Sequence, residues 1–166
     1  MKVLIACEES QTVCKAFRAL GYEAYSCDVQ EPSGGHPEWH ILGDALPLLN
    51  GGVEFTTMDG RTHRVSGKWD MIIAFPPMHQ DLQRRGKTPV EGGRLNISRY
   101  YDGLCGKALF LAIWAADCDR VVIENPTPAR YLTIRRPHRP SSPASTDTPT
   151  PRRHCCGSVV CPFEAN

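Results

Sequence analysis

Two short segments of this chain have the residue types to do chemistry. Ala74-Phe75-Pro76-Pro77 and Ile123-Glu124-Asn125-Pro126 each end an apolar run at proline, where a strand ladder stops for want of an N–H. In a parallel α/β sheet the carboxyl ends of the strands converge on the face where ligands bind. A carboxylate from Glu124 beside a stiff double-proline loop suits a floor on which a polar ring is held while charge develops. Asp28 and Asp44 close a second and a third predicted strand. An ionised carboxylate there accepts hydrogen bonds from sugar hydroxyls or an amino group, or simply caps the element that follows.

The first strand-to-helix turn reads Ala6-Cys7-Glu8-Glu9-Ser10. It has no glycine, so the G-x-G-x-x-G phosphate cradle is absent. Two acids repel a pyrophosphate and suit a cationic ligand. S-adenosylmethionine, with its sulfonium and ammonium groups, fits that charge logic better than NAD or ATP. The competing reading is an acidic helix start favoured by the macrodipole.

The elements that must position these residues alternate. Lys2 to Ala6 reads as a buried strand. Thr12 to Leu20 has helical spacing (Val13, Ala16, Phe17, Leu20) with Gly21 as its stop, and Glu23 to Cys27 reads as a second strand. A right-handed crossover makes these two strands parallel. Trp39 to Leu42 leads to Gly43-Asp44, and Phe55 to Val65 reads as a hairpin turning at Asp59-Gly60. Trp69 to Phe75 and Arg120 to Ile123 are further strands. Between them Tyr100 to Ala116 is a helix, with Leu104, Ala108, Leu111, Ala112 and Ala115 on one stripe. The pattern predicts an α/β, Rossmann-like three-layer fold with a mainly parallel sheet over residues 1–130. Residues 131–166 are rich in Pro, Arg, Ser and Thr; with no trusted strand or helix, they are expected to be disordered.

At 166 residues the chain fits one domain. Its net charge of +1 supplies no global field, so any DNA affinity must come from local patches. Arg84, Arg85, Lys87, Arg94 and Arg99 form one such cluster, suited to phosphate contact or to a solvated loop. With no membrane-length apolar run and no signal pattern after Met1-Lys2, the expectation is a cytoplasmic protein. Of eight cysteines, Cys7, Cys14, Cys27, Cys105 and Cys118 lie in or beside apolar elements and are expected to be small buried hydrophobes. His154, Cys155, Cys156 and Cys161 lack the C-x2-C spacing of zinc sites, so no metal is expected. His36, Pro37, Trp39 and His40 suit a base-stacking or lid element, but read first as a packed tryptophan with incidental histidines.

Phe75-Pro76-Pro77 with Glu124-Asn125-Pro126, in order with Cys7-Glu8-Glu9-Ser10, Gly43-Asp44 and Trp69-Asp70, resembles the small phage and prophage DNA cytosine (C5) methyltransferases. The resemblance covers the first 77 residues and about Gly92 to Pro128. It implies a Rossmann-type fold, S-adenosylmethionine as cofactor and DNA as partner. Cofactor-binding positions implied by it are Cys7, Glu8, Glu9, Ser10, Asp28, Val29, Asp44, Ala45, Phe75 and Pro76. The catalytic positions implied are Pro77, Met78, Glu124 and Asn125. In the mechanism implied, a cysteine thiolate adds to C6 of a flipped-out cytosine, C5 takes the methyl group, and the thiolate leaves; Glu124 holds the ring nitrogen and exocyclic amine.

Met78 stands where this family carries that cysteine. A thioether has no ionisable proton and cannot act as the thiolate, so the chain is expected not to methylate C5. Methionine is encoded only by ATG and histidine by CAT or CAC, so the bases of Met78-His79 read one position on give TGC, cysteine. On this reading residues 78–91 are a frameshifted patch, and residues 131–166 a second one in the other frame, where suitable codons for Asp147 to Phe163 spell a strand-like segment; the nucleotide sequence tests both directly. Two other classes stay open: a binding protein that keeps the cofactor or DNA site without the nucleophile, and an amino-methyltransferase, for which Phe75 and Met78 are the wrong residues around the prolines.

Overall fold

The computed structural model describes residues 1–77, 90–124 and 154–156. Five parallel strands within residues 2–124, extended by one three-residue strand, form the central sheet. They are β1 (Lys2–Ala6), β2 (Glu23–Asp28), β3 (His40–Leu42), β6 (Met71–Ala74), β9 (Val121–Glu124) and β10 (His154–Cys156), ordered β10-β9-β6-β1-β2-β3. Every adjacent pair is parallel. A hairpin of β4 (Val53–Thr56) and β5 (Thr62–Val65) stands apart from the sheet, as does the short pair β7 (Val90–Glu91) and β8 (Arg94–Leu95). The helices are α1 (Thr12–Ala19) and α2 (Ile97–Ala115).

The order reverses at β1. From β1 the chain passes through α1 to β2 on one side, and from β6 through α2 to β9 on the other. Right-handed crossovers run in opposite directions must put their helices on opposite faces, and the packing agrees. Val3, Ile5, Ala24 and Ile73 pack with Cys14, Val13 and Phe17 of α1. Leu4, Ala6, Ile72, Ala74, Val121 and Ile123 pack with Ile113 and Ala116 on and beside α2. Strands buried on both faces are apolar throughout, which is why β1 and β6 read as unbroken runs.

The hairpin seals the α2 face next to β2. Phe55 meets Tyr25 edge-on at 5.0 Å and lies stacked on Trp69 at 6.1 Å. Trp69, 2% exposed, donates its indole N–H to Leu48 O at 2.6 Å. The turn falls at Asp59-Gly60 as expected, with Gly60 at φ +85°. Its Met58 N–H donates to His40 O at 2.9 Å, covering the outer edge of β3.

Four expectations need correction. Of residues 131–166 only 154–156 are described, and these three form a strand rather than an unstructured tail: β10 pairs His154–Cys156 with Val122–Glu124 of β9, and the rest of that expectation lies outside the described residues. Backbone pairing on an open strand edge does not depend on apolar side chains, so composition hid it. The third strand starts at His40, because Trp39 belongs to a 3-10 turn over Pro37–Trp39. The core stripe of α2 is rotated: Leu104 and Ala115 are exposed, while Leu109, Ala112 and Ile113 face the sheet. A helix apolar on most sides carries little periodicity from which to choose a face. Cys14, Cys27 and Cys118 are buried, but Cys105 is exposed for the same reason.

Candidate functional site

Strand ends bring the expected residues to one edge of the sheet, beside the point between β1 and β6 where the order reverses. β1 delivers Cys7, β2 delivers Asp28 and the exposed Val29, β3 leads through Gly43 to Asp44, β6 runs into Phe75-Pro76-Pro77, and β9 ends in Glu124. The register Ala74↔Ile123 sets Glu124 next to Phe75, two residues from Pro77. Pro76 is buried and Pro77 exposed. A Cβ on Gly106 of α2 would lie 3.2 Å from Pro77 O, so a glycine in the helix admits the proline turn at close range. Met78 and Asn125, with Arg84, Arg85 and Lys87, lie outside the described residues; Arg94 is exposed.

Cys7, Cys27, Asp28 and Asp44 form an electrostatic group. Burial first, then the two aspartates, pushes the Cys7 thiol up to about 11. Burial, Cys7 and the same aspartates push Cys27 up to about 12. Both are neutral thiols at physiological pH and neither is a nucleophile in waiting. Cys7 takes φ +58°, a left-handed conformation that costs a non-glycine residue roughly 1–2 kcal/mol. Each aspartate uses Oδ1 to cap its own loop: Gln30 N donates to Asp28 and Leu46 N to Asp44, both at 2.9 Å. Capping and ligand-binding readings are compatible, since a carboxylate has two oxygens.

Glu8 has a structural employment within the chain itself. It is 5% exposed, and its carboxylate accepts from Val13 N at 2.6 Å and Cys14 N at 3.1 Å. It satisfies two amides of the first turn of α1, where the N-cap residue Gln11 offers no side-chain bond. Burial raises its pKa and those two amides oppose the rise. Glu8→Ala is expected to cost about 2 kcal/mol in urea unfolding, with Glu8→Gln, which keeps one acceptor, recovering part of it. A loss below about 0.5 kcal/mol would mean water replaces the carboxylate freely.

Glu9 holds the loop after β2, accepting Ser33 N through its backbone carbonyl at 3.0 Å and through Oε2 at 3.3 Å. Ser10 lies 3.1 Å from Thr12 Oγ1. Phe75 packs against the α1-side core and Ala45 is buried in the α2-side core, so the Ala45 side chain is committed to packing. Trp39 is packed as expected, stacked on His36 at 3.9 Å with the Arg18 guanidinium 5.2 Å from its ring.

No motif in the sequence singles out Gln11 or Ser26, and His40 reads there as incidental; all three are fully buried. Gln11 Nε2 donates to Ser26 Oγ at 3.2 Å, and Ser26 Oγ lies 2.9 Å from His40 Nδ1. The available signal was a serine inside the otherwise apolar Ala24–Cys27 run, which needs a polar partner once buried. No group of three or more His, Cys, Asp and Glu among the described residues is arranged to hold a metal ion, and no helix among them is long and apolar enough to cross a membrane. The chain matches no family model, no curated protein and no solved structure.

Proposed function

We propose that this chain is a Rossmann-like, S-adenosylmethionine-binding domain of the DNA cytosine methyltransferase type, with DNA as partner, in which Met78 abolishes the covalent step. One observation carries the reading: Cys7, Asp28 and Asp44 follow one another at the carboxyl ends of the neighbouring parallel strands β1, β2 and β3, near enough for both aspartates to act on the Cys7 thiol, beside the reversal at β1. Numbered along the sheet, the strands run 3-2-1-4-5-6, the order of doubly wound nucleotide-binding sheets, whose ligands sit at that reversal. The acids suit a ribose, an adenine amino group and a cationic donor, while the glycine-free turn is wrong for a pyrophosphate. Glu124 beside the proline turn supports a target base held next to the donor.

Titration calorimetry tests this. S-adenosylmethionine is expected to bind at one site, and Asp28→Ala to weaken it about tenfold or more, the loss of one charge-assisted hydrogen bond. If millimolar S-adenosylmethionine gives neither heat nor a rise in Tm, the reading fails.

A further inference from the structure

His40 is fully buried, and its two ring nitrogens bridge strand β2, at Ser26, and the loop that follows it, at Gln30. Nε2 lies 3.1 Å from Gln30 O, and Gln30 N donates to the Asp28 carboxylate. Gln30 is therefore gripped at both ends, by an imidazole and by a candidate ligand-binding acid. Nδ1 faces Ser26 Oγ, which takes the Gln11 amide. Gln11 in turn grips the far end of the loop: His36 N donates to Oε1 at 3.0 Å, and Nε2 donates to His36 O at 2.8 Å. Between these grips Gly34 lies so close that a Cβ would stand 2.5 Å from Gln11 Cβ and 2.6 Å from Ser10 O.

Proton counting fixes the state of this chain of bonds. Gln30 O can only accept, so Nε2 carries the hydrogen and Nδ1 accepts from the Ser26 hydroxyl. A second proton on the ring turns Nδ1 into a donor aimed at a hydroxyl that was donating. Ser26 must then swing its hydrogen to Trp39 O, which is farther away at 3.4 Å. Asp28 from β2 and Glu9 from the β1–α1 turn are the charges that face His40 and favour the cation. The hairpin turn and the 3-10 turn also pack nearby; there Arg61 pairs with Asp59, and Glu38 Oε1 lies 2.9 Å from His36 Nδ1. Burial outweighs all of these and holds the His40 pKa below its ordinary value of 6.5.

We propose that the buried Gln11–Ser26–His40 chain is a proton-sensitive positioning device, which sets the loop of residues 30–36 and, through Gln30, the Asp28 carboxylate, so that ligand affinity at the strand-end site falls when His40 takes up a proton. This rests on the reading that Asp28 grips S-adenosylmethionine. For stability the sign follows from linkage: with the folded pKa below the unfolded one, neutral His40 contributes fully above pH 6.5, and that contribution is lost as pH falls below it; affinity carries the same sign because the bonds that hold Gln30 and Asp28 are built around Nδ1 as an acceptor.

The test uses the full chain with S-adenosylmethionine calorimetry and amide hydrogen exchange at pH 7.5 and 5.5. Wild-type affinity is expected to fall on the order of tenfold more over that span than that of His40→Gln, which cannot take a charge. Exchange at residues 30–36 is expected to speed up, beyond its intrinsic pH dependence, in the wild type only. If His40→Gln does not fold, Ser26→Ala, which removes the hydroxyl facing Nδ1, carries the same comparison. A merely structural role lowers Tm in these variants yet leaves the wild-type pH dependence of affinity in place, and that result overturns the proposal. If the wild type binds no S-adenosylmethionine, the cofactor reading has failed and the exchange arm alone decides: unchanged exchange at 30–36 refutes the device, acid-induced loosening that His40→Gln abolishes upholds it.

Discussion

No methyl label is expected to pass from S-adenosylmethionine to cytosine in DNA above the protein-free background, and Met78→Cys is expected to raise transfer by on the order of a thousandfold. The argument is chemical. Addition to C6 needs an anion that forms a bond to carbon and later leaves, and a thioether already carries two carbon substituents on sulfur. Losing the nucleophile of a covalent mechanism removes most of the rate enhancement, because the remaining groups act on an adduct that never forms. Label transfer to duplex and single-stranded DNA, with hydrolysis to nucleosides to locate the methyl group, is the measurement. Turnover in the unaltered chain at rates near those of Met78→Cys would show that the reaction does not run through this position. Failure of Met78→Cys despite normal cofactor binding would move the fault to the residues that follow.

The largest effect on stability is expected at Trp69. Trp69→Ala should cost about 3–5 kcal/mol in urea unfolding, a large part of the 5–15 kcal/mol typical of a domain. The ring is almost fully buried, carries the stack of Phe55 on the hairpin, and faces Tyr25 at 6.5 Å. Removing it also strands the carbonyl of Leu48, which the indole N–H satisfies. Trp69→Phe separates the two contributions, since it restores most of the packing and none of the hydrogen bond; a cost of about 1–2 kcal/mol is expected. A Trp69→Ala chain that unfolds within 1 kcal/mol of the wild type would mean that the hairpin docks without the ring.

Much of the architecture could be read from local pattern. Helix α1 was legible because its spacing and Gly21 at φ +80° agree. The hairpin was legible because Asp59-Gly60 demands a turn, and the strand ends because proline marks them. Long-range choices were not legible. Helix α2 presents Leu, Phe, Ile and Trp in succession, so its inward face is chosen by the sheet rather than by its own periodicity. β10 is specified by the edge it meets. Glu8 bonds amides five and six residues ahead, beyond the reach of a capping box, so it read as a ligand-facing acid. Gln11, Ser26 and His40 are scattered over 30 positions of sequence, and only the crossover brings them together.

The two borders of the sheet are closed by very different lengths of chain. β3 is met by a turn 16 residues downstream, where Met58 N donates to His40 O, so that border gains its cover as the hairpin forms. β9 waits for residues 154–156, some 30 positions beyond Glu124. A nascent or proteolysed chain that stops short of them carries a parallel strand with bare amides and carbonyls over an apolar interior, ready to recruit a strand from another molecule. Loss of residues 154–166 is therefore expected to favour cross-molecular assembly over a smaller version of the same fold.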